Sequence, residues 1–317
     1  MEINVGYKEK VINEDPEFVN NKKYKEYRRK WRENPKKMIV EDKPLYLAIE
    51  STNNCNLSCL FCQRTKRINA GNYRVVGIMQ SKLYRKIIDE ISELGVYSIK
   101  LNKDGEPLMN PNIVEFVRYA KEKGIMEVMF NTNAMRLNEK MSEGLIKAKL
   151  DKILISFDSP YREKYNRLRA GSDYDLVLKN IRKLKELKDK LGSVKPIIRI
   201  NMIKMNNTAN EEIEKFNKLF QDVADILAIQ DYSDFVKDGE AKNLVCQELW
   251  QRLVVFWDGK VLPCCGDFFE EYILGDANTD SIKNIWLGKK LNVLREIHKK
   301  GKSNKIPMCK RCTYQML

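Results

Sequence analysis

From Pro44 to Asp231 the chain repeats one pattern, a short run rich in β-branched and aromatic residues followed by a longer amphipathic stretch. The runs are LYLAIES, YSIKLN, EVMFNTN, KILISFD, PIIRINMI and DILAIQD, and the stretches between them include SKLYRKIIDEISELG, PNIVEFVRYAKEKG and EEIEKFNKLFQDVA. Strand and helix alternating in this way require a parallel sheet with right-handed crossovers. Six units fall short of the eight that close a barrel. The expected fold is therefore α/β, an open partial (βα)6 barrel with its chemistry at the carboxyl ends of the strands.

The flanks read differently. In residues 1–44, a helix from about Pro16 to Asn34 would bring Tyr24, Tyr27 and Trp31 to one face, an aromatic stripe suited to core packing. Beyond about Asp231, RLVVFWDGKVLPCC reads as a hairpin turning at Asp258-Gly259, followed by a helix from about Ser281 and a cysteine-bearing tail. The expected division is a basic helical extension over 1–44, the barrel over 45–240 and a small second domain over 241–317.

Lys and Arg number 58 against 44 Asp and Glu, a net charge of +14. Lysine dominates and is spread along every segment, whereas a nucleic-acid surface would cluster arginine with aromatics, so nucleic acid is not the expected partner. No run of apolar residues is long enough to span a membrane and the N-terminus lacks the apolar core of a signal peptide, so a cytoplasmic protein is expected.

The eight cysteines form two groups, Cys55, Cys59, Cys62 and then Cys246, Cys264, Cys265, Cys309, Cys312. Grouped thiols in a reducing compartment suit metal or cluster ligation better than disulfides. The first group, C-x3-C-x2-C, fits a zinc site poorly because such a site is closed by four ligands, usually in C-x2-C pairs. Three thiolates on an iron-sulfur cubane leave one iron open to another molecule.

Cys55-x3-Cys59-x-Phe61-Cys62, directly after the first strand, resembles the signature of the radical S-adenosylmethionine (SAM) superfamily. The resemblance implies a [4Fe-4S] cluster whose open iron is chelated by SAM, with Phe61 against the adenine. Asp104-Gly105-Glu106-Pro107 after the second strand resembles the family's Gly-Gly-Glu-Pro motif, which receives the SAM amino group, with Asp104 in place of the first glycine. Asn131-Thr132-Asn133 ends the third strand where the family often has Thr-Asn-Gly, and Ala134 stands at the glycine. Ser156 and Asp158 end the fourth strand, where the family uses a hydroxyl to touch SAM, and Arg169 resembles the arginine that pairs with the SAM carboxylate.

The second group stands as C-x17-C-x44-C-x2-C through Cys246, Cys264, Cys309 and Cys312. Spacing alone leaves zinc and a closed cubane both open. Behind a barrel of this kind it resembles the SPASM or twitch extension that holds an auxiliary [4Fe-4S] cluster, with spacings similar to those of the twitch-domain aminocyclitol dehydrogenases. Five cysteines support one auxiliary cluster, and Cys265 is the spare: a substitute ligand, a cysteine facing the site or, the role most expected, a buried packing residue. His298, near a helix end, is expected to be solvated or to cap the helix.

The resemblance implies reductive cleavage of SAM to a 5'-deoxyadenosyl radical, which takes a hydrogen atom from the substrate. An auxiliary cluster without an open iron can accept an electron, so the expected reaction is dehydrogenation of a sugar or aminocyclitol-type metabolite, with a flavodoxin or ferredoxin as reductant. Glu248, Gln230, Asp231, Arg199 and Lys204 are polar groups expected near the substrate mouth. The alternatives are maturation of a ribosomally made peptide and a non-catalytic iron-sulfur or zinc-binding protein.

Overall fold

A computed structural model of the chain describes residues 7–232 and 245–312. The six expected runs form strands β2 (Tyr46–Ile49), β3 (Ser98–Lys100), β4 (Glu127–Thr132), β5 (Lys152–Ser156), β6 (Ile197–Lys204) and β7 (Ile226–Asp231). They pair in sequence order and all in parallel. Strand β1 (Tyr7–Val11) adds antiparallel to β7 at one edge. At the other edge β8 (Arg252–Val255) lies parallel to β2 and turns into β9 (Lys260–Leu262), with β10 (Gly275–Asp276) outermost. The ten strands make one sheet.

Two of these strands depart from expectation. The first 44 residues, expected to be helical, also supply β1. The hairpin turns at Asp258-Gly259 as read, with Gly259 at φ +101°, but its first strand joins the barrel sheet. Both pairings are made with partners far away in the chain, which local pattern does not report. The expected boundary between residues 240 and 241 lies outside the described residues.

Alternation along each strand sorts the side chains. Leu47, Ile99, Val128, Phe130, Ile153 and Ile200 face the surrounding helices and form the main core. The opposite face points into the barrel. Its floor near β2 and β8 is apolar, with Tyr46, Ala48, Val254 and Phe256 against Met129 and Cys265. Lys100 pairs in register with Ala48 and Met129 and therefore shares that inner face.

The helix Lys22–Lys37 starts on the Asn21 side chain, which accepts the Tyr24 N–H, and stops at Met38 in the left-handed region. Its stripe closes the amino end of the barrel. Tyr27, fully buried, stacks on Tyr97 at 5.2 Å, and Trp31 meets Tyr46 edge-on at 5.8 Å. The same segment ties to the C-terminal region through Gln251 Nε2 donating to Trp31 O (2.7 Å) and Trp286 Nε1 donating to Glu41 O (2.8 Å). Among the described residues no helix is long and apolar enough to cross a membrane.

Candidate active site

The loop after β2 carries Cys55, Cys59 and Cys62, all half-buried. Every neighbouring strand end contributes a tie to it. From the loop after β3, Glu106 N donates to Asn54 O at 2.7 Å. The loop after β4 reaches it through Asn133 Nδ2 and Asn56 Oδ1 at 2.9 Å. The segment after β5 accepts from it twice, Ser58 N to Ala170 O (2.9 Å) and Leu60 N to Leu168 O (3.0 Å). Asn53 is clamped by residues 75–77, its Nδ2 donating to Val75 O and its Oδ1 accepting from Gly77 N, each at 2.8 Å.

Gly105 is where the loop after β3 comes closest. It sits at φ +71°, and a Cβ there would lie 2.6–2.7 Å from Asn54 O, Asn53 C and Thr52 O. Only glycine permits both that conformation and that approach. Burial raises the Cys55 thiol, with the Glu106 carboxylate and Cys62 adding to the shift. Cys59 is pushed up to about 12, mainly by burial and against the pull of Arg169. The three sulfurs thus feel one another across a single pocket.

Most residues expected to contact SAM converge on this pocket. Glu106 is buried, which pushes its carboxyl up to about 7 even though Thr132 Oγ1 (2.6 Å), Asn133 N (2.7 Å) and Leu108 N (3.2 Å) all donate to it. Pro107 begins the short helical turn that follows. Ala134 takes φ +58°, the conformation a glycine would adopt at this place. Arg169 Nη2 pairs with Asp158 Oδ2 at 2.6 Å, and its guanidinium lies 5.8 Å from the Phe61 ring. The structure thus gives Arg169 a protein carboxylate as partner. Ser156, half-buried at the end of β5, pairs in register with Asn201.

Asp104, the departure from the motif, has a structural account. It joins Arg67, Lys103 (3.1 Å) and Arg74 (3.8 Å), and Arg74 in turn binds Glu50 (2.6 Å) and Glu270 (3.4 Å). Arg67 Nη1 also donates to Phe268 O at 2.6 Å. This buried ion network fastens the region of the cysteine loop to the segment that follows Cys264-Cys265. Three cations hold the Asp104 carboxyl well below the usual range despite burial.

The C-terminal thiols also converge. A Cβ on Gly266 would sit 3.6 Å from Cys312 Sγ and 3.7 Å from Cys264 Sγ, so the residue after the Cys264-Cys265 pair lies between two thiols. Burial raises Cys246 and Cys264 well above the ordinary range, and the facing Cys309 adds to both shifts. Cys309 is pushed up to about 12, first by burial and then by Cys312. Cys265 points elsewhere: it packs against the apolar barrel floor and lies 3.8 Å from Glu248 Oε2. Among the described residues no three His, Cys, Asp or Glu side chains converge on a single ion. A cubane, in contrast, takes one thiolate at each separate iron.

His298 corrects the sequence reading. It is 2% exposed, not solvated. Its Nδ1 accepts the Cys246 backbone N–H at 3.1 Å and its Nε2 lies 3.5 Å from Cys309 Sγ. Glu248, expected at the substrate mouth, is buried and paired with Arg252 at 2.9 Å. Arg199 is bound to Glu9 of β1 at 3.1 Å, while Gln230 and Asp231 lie exposed at the end of β7, Asp231 3.8 Å from Lys204. Sequence reasoning missed Lys100, whose signal was the alternation Ser98, Lys100, Asn102 that sends three polar side chains into the barrel. Burial lowers its ammonium to about 8, with Cys265, Arg252 and Glu248 the nearest charges.

A barrel whose first loop offers three thiols, joined to a small C-terminal region with five more, fits an enzyme of the iron-sulfur type. The sequence profile of the radical SAM superfamily matches residues 49–220, more than half of the chain, and that of the SPASM iron-sulfur cluster-binding domain matches residues 246–313. The chain belongs to the radical SAM superfamily. It therefore uses SAM and a [4Fe-4S] cluster, with an auxiliary iron-sulfur cluster in its SPASM domain.

The GTP 3',8-cyclase of Clostridium botulinum is 31% identical over 175 residues, 55% of this chain and 52% of the relative. The chain spans about half the length of the curated relatives it matches. Among solved structures, BtrN in complex with AdoMet and 2-DOIA superposes with a TM-score of 0.59 at 21% identity, covering 87% of this chain and 94% of BtrN. Streptococcus suis SuiB bound to precursor peptide SuiA gives a TM-score of 0.65 at 18% identity, covering 92% of this chain and 74% of SuiB. These two likenesses show the fold.

Proposed function

We propose that the chain is a radical SAM dehydrogenase of a small polar metabolite of the sugar or aminocyclitol type. In this reading Cys55, Cys59 and Cys62 hold the SAM-binding cluster, and Cys246, Cys264, Cys309 and Cys312 hold the auxiliary one. The bound cofactors supply reductive cleavage of SAM and hydrogen-atom abstraction. The chain must place a substrate C–H near the first site, take up a hydroxyl proton and conduct one electron away.

The observation that carries the reading is the convergence of the four C-terminal cysteines, with Gly266 beside the Cys264 and Cys312 thiols and with the Cys246 backbone and the Cys309 thiol both against the His298 ring. Four protein thiolates leave a cubane no open iron for substrate, so its remaining use is to pass electrons. Lys100 projects into the barrel, with Cys265, next in sequence to Cys264, among the groups around it. An amine held near 8 can be neutral at working pH and accept the hydroxyl proton as the carbinol carbon is oxidised. Phe61, Gly105, Glu106, Pro107, Asn133, Ser156 and Arg169 are the proposed SAM contacts.

The test is anaerobic turnover of the reconstituted protein with SAM, a reductant and an aminocyclitol deuterated at its carbinol carbons. Deuterium in 5'-deoxyadenosine, a ketone product and less than one equivalent of reductant per turnover would support the reading. The electron released on oxidation replaces the one that began the cycle, which is why reductant use falls below one equivalent. Turnover of a peptide or of GTP in place of the aminocyclitol would overturn it. The peptide reading is the second one because SuiB, the neighbour with the higher TM-score, was crystallised with its precursor peptide.

A further inference from the structure

His298 is the single histidine of the chain, and both of its ring nitrogens are engaged with the second cysteine group. It lies in the last turn of the helix Lys289–Lys299. Nδ1 faces the Cys246 backbone N–H at 3.1 Å, and an amide N–H can only donate. Nδ1 therefore carries no proton, and the neutral ring bears its hydrogen on Nε2. That N–H faces Cys309 Sγ at 3.5 Å, within reach of an N–H···S hydrogen bond. The tautomer follows from the partner's chemistry, and burial of the ring keeps water from competing for either bond.

One ring thus ties the backbone of Cys246 to the thiol of Cys309, two residues of the proposed cluster set that stand far apart in the C-terminal region. Asp267 and Glu271 add negative charge around Cys309. Acidic surroundings oppose addition of an electron to a cluster, whereas an N–H donor on a cluster thiolate favours the reduced, more negative state.

We propose that His298 is a positioning residue that sets the reduction potential of the auxiliary cluster, holding it high enough to accept the electron released by the substrate. The inference rests on the assignment of Cys246 and Cys309 as cluster ligands. Its action runs through the Nε2–H···S bond to Cys309, while the Nδ1 contact fixes the ring.

The test uses the full chain carrying Cys55→Ala, Cys59→Ala and Cys62→Ala, in which only the auxiliary cluster can be reconstituted, and compares His298→Gln, His298→Asn and His298→Phe within it. The Gln amide reaches the Nε2 position and can still donate to Cys309. The Asn amide occupies only the Nδ1 position, and Phe offers neither. Iron content and the potential from an EPR-monitored redox titration are read for each. The Asn and Phe variants should titrate lower than the parent by a tenfold change in the reduced-to-oxidised ratio, about 59 mV for a one-electron couple. The Gln variant should stay nearer the parent. If Phe also loses iron, the Gln and Asn pair still carries the comparison. Equal potentials in all iron-loaded variants, or a Gln shift as large as that of Asn, would overturn the inference. No iron in the histidine-containing parent would overturn the ligand assignment itself, and the inference with it.

Discussion

The two cysteine groups are built in opposite ways. The first is contiguous in sequence, its thiols are half-buried, and its loop is held by hydrogen bonds from the ends of β3, β4 and the segment after β5. The second gathers residues from 246 to 312; Cys246 is buried, Cys264, Cys309 and Cys312 are half-buried, and one histidine ring holds the Cys246 backbone and the Cys309 thiol. A site that must admit SAM is open and borrows its rigidity from its neighbours. In the proposed function the second site only passes electrons, and four protein thiolates with a histidine beside them close it without a loop held by strand ends. The difference predicts that damage to the strand-end loops will spare the auxiliary cluster, and the following changes are ways to break or sharpen that rule.

The largest effect is expected from Gly105→Ala. The new methyl would meet backbone atoms at 2.6–2.7 Å in a left-handed conformation, so the loop after β3 must withdraw from the cysteine loop. SAM cleavage should be lost and stability should fall by about 3 kcal/mol. Iron analysis should show about four of the expected eight irons retained, those of the auxiliary site. Loss of both clusters would break the rule.

Asp158→Asn comes next. It leaves the Arg169 guanidinium without its carboxylate in a pocket where both are buried. Breaking such a pair costs about 3 kcal/mol. Denaturant unfolding of the variant should show that loss, together with weaker SAM binding as Arg169 shifts beside Phe61. An unchanged SAM affinity would remove Arg169 from the proposed contacts.

Glu106 gives a pH test. Its folded value, about 7, lies above its ordinary 4.5 because of burial. A raised value means that the folded state holds the proton more tightly. The associated stability is therefore complete below about 4.5 and is lost as pH rises through about 7. Stability should fall across that window by roughly 2–3 kcal/mol, and Glu106→Gln should flatten the fall. An identical pH profile in the variant would show that the three donors on Glu106 offset its burial.

The smallest effect belongs to Ala134→Gly. Relief of a left-handed alanine stabilises by up to about 1 kcal/mol, and loss of a buried methyl costs a similar amount. Thermal unfolding should move by no more than the equivalent of about 0.5 kcal/mol. A larger loss would mean that the methyl packs in a way that glycine cannot replace.

The same contrast governs what was legible in the sequence. Six parallel strands and the first thiol loop could be read because each is written in a continuous segment. Gly105, Glu106 and Asn133 could be placed beside that loop because the resemblance to the superfamily assigns them to successive strand ends. β1 and the docking of β8 on β2 could not be read, since both depend on partners more than 200 residues away. Asp104 departs from the motif because it pairs with Arg67, Arg74 and Lys103, a gathering that no local pattern in the sequence records. His298 looked like an ordinary helix-end residue because nothing in LNVLREIHKK records that the helix folds back on Cys246. Lys100 was hidden in a run that reads simply as a strand.

The proposed function requires one cubane with an iron left open by three thiolates and one closed by four. The most direct measurement is iron and zinc content after anaerobic reconstitution of three proteins: the native chain, the Cys55/Cys59/Cys62→Ala variant and the Cys264/Cys312→Ala variant. The account predicts about eight irons in the native chain and about four in each variant, with 5'-deoxyadenosine formed from SAM only where the first three cysteines are intact. Four irons in the native chain, or zinc in place of iron at the second group, would contradict it.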